Sequence, residues 1–208
     1  MLGDHGALRL LYDNSHEVSP GKMWRTYQPA PRDLSRWRDR GVKTVVNLRG
    51  DAPTGHFLLE EDACAKLGLA LKTFQVFSRE PPSKEVLYGA RRLFAEIEYP
   101  AVMHCKSGSD RVGLMSTLYL FLHEGRPLDA AMNQLSWRYG HVRQSKTGVI
   151  DYALEKFLFH ARRERVAISS VDGFYRWVDE AYDPAATKAE FRATWWGDAL
   201  TEKILRRE

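Results

Sequence analysis

Apolar positions along this chain alternate between two rhythms. Lys43–Leu48 (KTVVNL) is β-branched and apolar almost throughout, as a strand buried on both faces is. Lys22–Tyr27 and Leu69–Val76 read as further strands, the first closed by Gln28-Pro29-Ala30-Pro31, where two prolines stop pairing. Ala101–His104, just after Pro100, adds a fourth. Between them the spacing turns helical. Leu34, Trp37 and Arg38 predict a short helix ending at Gly41, and Phe57–Leu67 predicts another stopped by Gly68. Behind Ser83, a candidate N-cap, Val86, Leu87, Ala90, Leu93, Phe94 and Ile97 keep a 3.6-residue period. The longest apolar run, Val112–Leu122, is about half of what spans a bilayer and reads as a buried helix.

Strands alternating with helices of this length predict an α/β fold: a central, mostly parallel sheet flanked by helices on both faces. After Pro127 the strand signal ceases. Leu128–Tyr139, Val149–Arg163, Gly173–Tyr182 and Pro184–Arg207 all read as helical, the last with Asp183 as N-cap and Pro184 at its first position. The expected organisation is a catalytic domain over residues 1–165 and a helical extension over residues 166–208 packed on it as one structural unit.

Composition narrows the class. The 208 residues are 44% hydrophobic and 28% charged, which excludes both a membrane-embedded chain and a disordered one. Two cysteines, Cys64 and Cys105, cannot form a disulfide framework and point to a reducing compartment. Met1–Asn14 lacks the unbroken apolar stretch of an export signal, so a cytoplasmic location is expected. The formal charge of +4 is a mild bias towards anionic partners, too small to demand nucleic acid.

The chemistry concentrates in His104-Cys105-Lys106-Ser107-Gly108-Ser109-Asp110-Arg111, between the strand Ala101–His104 and the helix Val112–Leu122. Open α/β sheets place ligands at the carboxyl ends of their strands. A thiol there faces the amino end of the next helix, whose free N–H groups and dipole favour a thiolate. The small residues Ser107, Gly108 and Ser109 let successive N–H groups turn towards one tetrahedral anion, and the planar fork of Arg111 suits two phosphoryl oxygens. Nucleophile, cradle and clamp in one loop describe phosphoryl transfer to cysteine.

The same segment resembles the signature of the cysteine-dependent protein tyrosine phosphatase superfamily: His-Cys, five residues, then Arg. Tyr27-Gln28-Pro29 followed by Thr44–Gly50 is similar to its bacterial dual-specificity-like branch, and the resemblance runs from Val18 to Arg163. It implies that Cys105 forms a phosphocysteine intermediate and that Arg111 binds phosphate and the transition state. The backbone from Lys106 to Arg111 would cradle the phosphate, and His104 would support the loop and lower the thiol pKa. No metal or cofactor is implied. The implied partners are a phosphorylated protein, a small phosphate monoester or a phospholipid.

The general acid stays open. The superfamily usually supplies an aspartate some thirty residues before the cysteine, but Thr73–Glu80 holds no aspartate and only Glu80 as a carboxylate. Asp110, directly before the arginine, resembles the arrangement of a bacterial tyrosine and lipid phosphatase subgroup. Asp51, after the second strand, reaches the same sheet edge. Arg49 leaves that edge too, either to bind a second anion or to form a surface ion pair. The basic loop Arg138–Lys146 is either a substrate border, with Gln144 positioning water, or a solvated turn. His56 and Glu60, one turn apart, read as helix surface, and Cys64 as core. The superfamily usually has Ser or Thr after the arginine; this chain has Val112. Two rival functions remain: a phosphate-binding pseudophosphatase, and a thiolate sulfurtransferase or reductase. In the last helix Phe191, Trp195 and Ala199 form an apolar face expected to pack on the catalytic domain, widened by Trp196 and Leu200. Arg192, Lys203, Arg206 and Arg207 favour peripheral membrane contact as the alternative.

Overall fold

In the computed structural model residues 14–193 are described, and their frame is a five-stranded sheet: β1 (His16–Ser19), β2 (Met23–Thr26), β3 (Thr44–Asn47), β4 (Ala70–Thr73) and β5 (Ala101–His104). Their spatial order is β1-β2-β5-β3-β4, with β1 antiparallel to β2 and every other pairing parallel. The four strands expected from the sequence are present. β1 was not legible, because His-Glu-Val-Ser carries no apolar alternation; it pairs through the tight turn that Gly21 closes in the left-handed region.

The alternation of side chains across the pleat divides the core in two. Val45 and Val102 face one side, where they meet Leu34 and Trp37 of α1 (Pro31–Asp39) and Ala63 and Cys64 of α2 (Gly55–Leu67). Val46 and Met103 face the other, against α3 (Lys84–Glu96) and α4 (Asp110–Leu118). Gly68 takes the left-handed conformation that ends α2, and the Ser83 hydroxyl accepts from the Val86 N–H to begin α3, as their sequence positions indicate. α4 is buried along nearly its whole length and passes into a π-helical turn at Tyr119–His123.

The expected helix Leu128–Tyr139 is broken. Only α5 (Leu128–Ala131) is α-helical, followed by 3-10 turns at Met132–Gln134 and Trp137–Tyr139. The Gln134 carbonyl is turned out of any helical ladder and accepts from buried Arg25 instead, a long-range bond that local periodicity does not encode. α6 (Val149–Arg163) matches its sequence bounds, α7 (Val171–Glu180) follows, and residues 184–193 continue as helix α8.

Four aromatic rings tie α7 to the rest. Phe174 meets Phe157 edge-on at 5.0 Å and Phe121 at 5.2 Å, and Trp177 lies 5.6 Å from Phe157. Tyr175 and Tyr182 donate hydroxyl hydrogen bonds to the backbone carbonyls of Leu87 and Pro82. Phe191 packs partly buried near Tyr152. Trp195, Trp196, Ala199 and Leu200, the remainder of the expected apolar face, lie outside the described residues, as do the basic residues Lys203, Arg206 and Arg207 and most of Met1–Asn14.

Phe174 is fully buried at the centre of this cluster. Truncating a phenylalanine in such a site costs about 3–5 kcal/mol. Phe174→Ala is therefore expected to lower the midpoint of one cooperative unfolding transition for the whole chain. Calorimetry checks this: a separate low-temperature transition, with the main one unmoved, would mark residues 166–208 as an independent unit.

Candidate active site

Strand register brings the chemistry together. Thr26, His104 and Asn47 stand opposite one another at the carboxyl ends of β2, β5 and β3. The segments that follow, starting at Tyr27, Cys105 and Leu48, therefore leave the sheet at one edge. Cys105 is buried there, and the loop Lys106–Ser109 curls from it into the first turn of α4.

The backbone of this loop is held from outside, one peptide at a time. The Gln28 N–H donates to the Lys106 carbonyl at 3.5 Å, and Asn14 Nδ2 donates to the Ser107 carbonyl at 3.0 Å. The Arg25 guanidinium donates to the carbonyls of Gly108 at 2.9 Å and Ser109 at 3.0 Å. A trans peptide points its N–H opposite to its carbonyl. Anchoring these four oxygens outwards therefore aims the N–H groups of Ser107, Gly108, Ser109 and Asp110 towards the concave side, as a tetrahedral anion requires. Gly108 is left-handed at φ +74°, and a Cβ there would come within 3.0 Å of the Thr26–Tyr27 backbone.

Arg25 is fully buried, which is costly for a charge unless its donors are satisfied. It also donates to the Gln134 carbonyl at 2.7 Å and the Gln134 side chain at 2.9 Å, and stacks 4.1 Å from the centre of the Tyr139 ring. The sequence reading did not single it out. A charged residue in the middle of a short strand, Met-Trp-Arg-Thr, is the signal that was available.

His104 lies fully buried beneath the loop with its Nε2 against Glu60 Oε1. Glu60 corrects its reading as helix surface: it is 1% exposed, and its other oxygen accepts from Asn47 Nδ2 at 2.8 Å and Gln28 Nε2 at 3.2 Å. The sheet edge wins over helical periodicity because it offers this carboxylate three polar partners. Cys64 is core, and burial followed by the nearby Glu60 charge pushes its thiol up to about 12, which leaves it unreactive.

Asp110 opens α4, half-buried, and its Oδ1 accepts from His141 Nδ1 at 2.8 Å. His141 Nε2 in turn lies 2.6 Å from Asp151 Oδ2, in the first turn of α6. His141 is buried, so this part of the basic loop is no solvated turn. Burial pulls the imidazolium pKa down, but the hydrogen bonds and charges of Asp110 and Asp151 outweigh it and hold the group up at about 9.

The remaining candidates are more dispersed. Arg111 is half-buried and makes no hydrogen bond or ion pair among the described residues. Arg49 Nη1 donates to the Gln28 side chain at 2.7 Å. Asp51, Lys106, Ser107 and Gln144 are exposed. Glu80 pairs with Lys188 at 2.5 Å on the wall of a cavity of about 490 Å3, shared with Arg79, Lys146, Val149, Phe191 and Arg192. Among the described residues no group of three or more His, Cys, Asp or Glu side chains is placed to hold a metal ion, and no helix is long and apolar enough to cross a membrane.

Comparison with known proteins gives this geometry a family. Residues 11–149 match the family model described as a DSP-PTPase phosphatase fused to NAD+ kinase. The dual specificity protein phosphatase TpbA of Pseudomonas aeruginosa is 29% identical over 126 residues, 59% of this chain and 53% of TpbA. The chain thus spans about half the length of the curated relatives it matches. The TpbA crystal structure superposes with a TM-score of 0.53 at 24% identity, covering 65% of this chain and 80% of that one, and TpbA has also been solved in complex with phosphotyrosine. A putative phosphatase from Shewanella putrefaciens shares the fold at a TM-score of 0.52 and 16% identity, covering 63% of this chain and 83% of its own. With two-thirds of its length matched by the family model and the signature loop folded as a cradle, the chain belongs to the dual-specificity branch of the cysteine-dependent tyrosine phosphatases.

Proposed function

We propose that this protein hydrolyses phosphate monoesters through a phosphocysteine intermediate. The observation that carries the reading is the set of four outward-anchored carbonyls around Cys105, with the unengaged guanidinium of Arg111 beside them. In the first step the Cys105 thiolate bonds to phosphorus and the ester oxygen leaves. Inward N–H groups of the loop and Arg111 bind the three equatorial oxygens, whose charge peaks in the transition state. Asp110 protonates the leaving oxygen, and water then displaces the sulfur. The loop supplies both nucleophile and positive charge, so the mechanism needs no metal.

For substrate class, the phosphotyrosine complex of TpbA supports an aryl phosphate on a protein. The cavity walled by Arg79, Lys146, Lys188 and Arg192, whose single carboxylate Glu80 is already paired with Lys188, favours substrates with further negative charge. Acidic phosphopeptides satisfy both features, and phospholipid head groups satisfy the second. The pseudophosphatase reading is disfavoured because Cys105, Asp110 and Arg111 all occupy the loop. A cytoplasmic location fits two buried, unpaired cysteines.

Hydrolysis of p-nitrophenyl phosphate tests the reading. It is expected to survive EDTA, to be blocked by vanadate, and to vanish in Cys105→Ser. Full activity in that variant would overturn it.

Leaving-group dependence tests the acid. An alkoxide needs a proton to leave, whereas p-nitrophenolate hardly does. Asp110→Asn is expected to lose about 10²-fold or more in kcat/KM on alkyl phosphates and far less in kcat/KM on p-nitrophenyl phosphate, since that ratio reports the first step alone. Equal loss on both would make Asp110 a brace of the loop and return the acid to Asp51 or Glu80.

Val112 bears on the second step. It is fully buried after Arg111, and no hydroxyl among the described residues donates to the Cys105 sulfur. A hydrogen bond to a charged atom is worth roughly 1.5–3 kcal/mol, or about ten- to a hundredfold in rate. Phosphoenzyme breakdown is therefore expected to limit turnover and to give a pre-steady-state burst. Val112→Thr should raise the steady rate and shrink the burst; rapid-quench kinetics with no burst in either protein would place the limit in the first step.

A further inference from the structure

Asp110 raises a difficulty as a lone general acid. A carboxylate that accepts a hydrogen bond from a charged imidazole carries no proton of its own to give. The structure gives it a partner. His141 Nδ1 lies 2.8 Å from Asp110 Oδ1, and His141 Nε2 lies 2.6 Å from Asp151 Oδ2, so one imidazole bridges two carboxylates. His141 and Asp151 are almost completely buried, at 2% and 4% exposure, while Asp110 is the more accessible end, at the mouth of the phosphate loop. The bridge is held rigidly. Gly140 turns in the left-handed region directly before His141, and a Cβ there would come within 2.9 Å of Ser109 Oγ. The His141 N–H donates to the Ser136 carbonyl at 3.2 Å, and the Tyr139 carbonyl accepts from the same Asn14 amide that anchors Ser107.

We propose that Asp110, His141 and Asp151 act as one proton-holding relay, in which His141 supplies and recovers the proton that Asp110 passes to the leaving group, and Asp151 keeps the imidazole charged and oriented. This rests on the phosphatase reading above. In the first step the proton on His141 Nδ1 passes to Asp110 and on to the ester oxygen as the P–O bond breaks and the S–P bond forms, leaving Asp110 ionised and His141 neutral. In the second step water bonds to phosphorus and the P–S bond breaks. The proton that water loses passes through Asp110 back to His141, so the relay ends each cycle as it began.

The electrostatics favour this assignment. Two carboxylates facing one imidazole hold it protonated, and the raised His141 pKa of about 9 reflects that surplus. The charged groups around the bridge are Asp110 on α4 and Asp151 on α6. One turn beyond lies Glu155, whose carboxyl is pushed up by burial and paired with Arg143 at 2.6 Å. Arg25 and Arg111 belong to the phosphate-loop side. His141 and Asp151 act through Asp110 and are positioning residues; Asp110 alone meets the substrate.

Two measurements on the full chain test the relay. With an alkyl phosphate, wild-type kcat/KM should hold to about pH 9 and fall above it. His141→Gln should move that fall below about pH 7 and cost at least about tenfold at pH 8. The loss in kcat/KM on p-nitrophenyl phosphate at the same pH, which reports only the first step of an ester that needs no proton, should be at least about tenfold smaller, and a single cooperative melt checks that the variant folds. Asp151→Asn should shift the limb in the same direction by less. An unmoved alkaline limb, or equal losses on both substrates, would reduce His141 to a brace. The second measurement does not need turnover. A histidine whose pKa is higher folded than unfolded stabilises the fold fully below about pH 6.5 and loses that contribution as pH rises to about 9. The difference in Tm between wild type and His141→Gln should shrink across that window, and an imidazole titrating below pH 7 by NMR would overturn the relay even if the phosphatase reading stands. Loss of Cys105-dependent hydrolysis in the wild type, with the NMR titration near 9, would sink the phosphatase reading instead.

Discussion

The planarity of the peptide bond governs this site. N–H and C=O of one peptide point in opposite directions, so a protein that wants four N–H groups facing an anion must find partners for four carbonyls on the other side. Here Gln28, Asn14 and Arg25 provide them, and Arg25 serves two. The cradle is thus built from behind, by residues that never meet the substrate. Its shape is therefore fixed by the fold before any anion arrives.

Arg25 carries the largest share of that constraint and bears the largest penalty. A fully buried guanidinium is costly unless its donors are engaged, and the Gln134 carbonyl, the Gln134 side chain and two loop carbonyls engage its two terminal nitrogens while the Tyr139 ring lies against it. The same demand explains the broken helix after Ala131. A continuous helix through Gln134 would keep its carbonyl in the ladder, whereas the 3-10 turns free it for Arg25 and bring Tyr139 over the guanidinium. The irregular stretch after Gln134 then delivers His141 to Asp110. One buried cation therefore links the loop after Cys105 to the segment that carries His141.

Beneath the loop a second buried network fixes the strand before Cys105. Glu60 gathers His104, Asn47 and Gln28, one residue from each segment that leaves the shared edge. Because Thr26, His104 and Asn47 are in register, these contacts need no long side-chain excursions. Cys64, four residues after Glu60 on the same helix, remains an inert core thiol. The two cysteines of the chain thus sit in different places: Cys105 in the loop before the amino end of α4, Cys64 in the core on the other side of the sheet.

The sequence by itself determined the parts whose information is local. KTVVNL and the strand before Cys105 are β-branched or apolar at most positions because both faces of the sheet are covered, and Ser83 and Gly68 mark helix ends through their own side-chain and backbone chemistry. Cys105 and Arg111 stand out along the chain because the residues of one anion-binding loop are contiguous in sequence. Only the tertiary structure decided the rest. Arg25, Glu60 and Asp151 stand 80, 45 and 46 residues from Cys105, and no periodicity marks a carboxylate as buried rather than solvated. His141 read as one member of a basic turn, and becomes a buried bridge because α4 and α6 present Asp110 and Asp151 to its two nitrogens. β1 escaped notice for the same reason: its hydrogen bonds come from β2, and nothing in its four polar-leaning residues announces a partner. Where a residue's role is set by what the chain itself places beside it, sequence suffices; where the partner arrives from across the fold, the role exists only once the fold has formed.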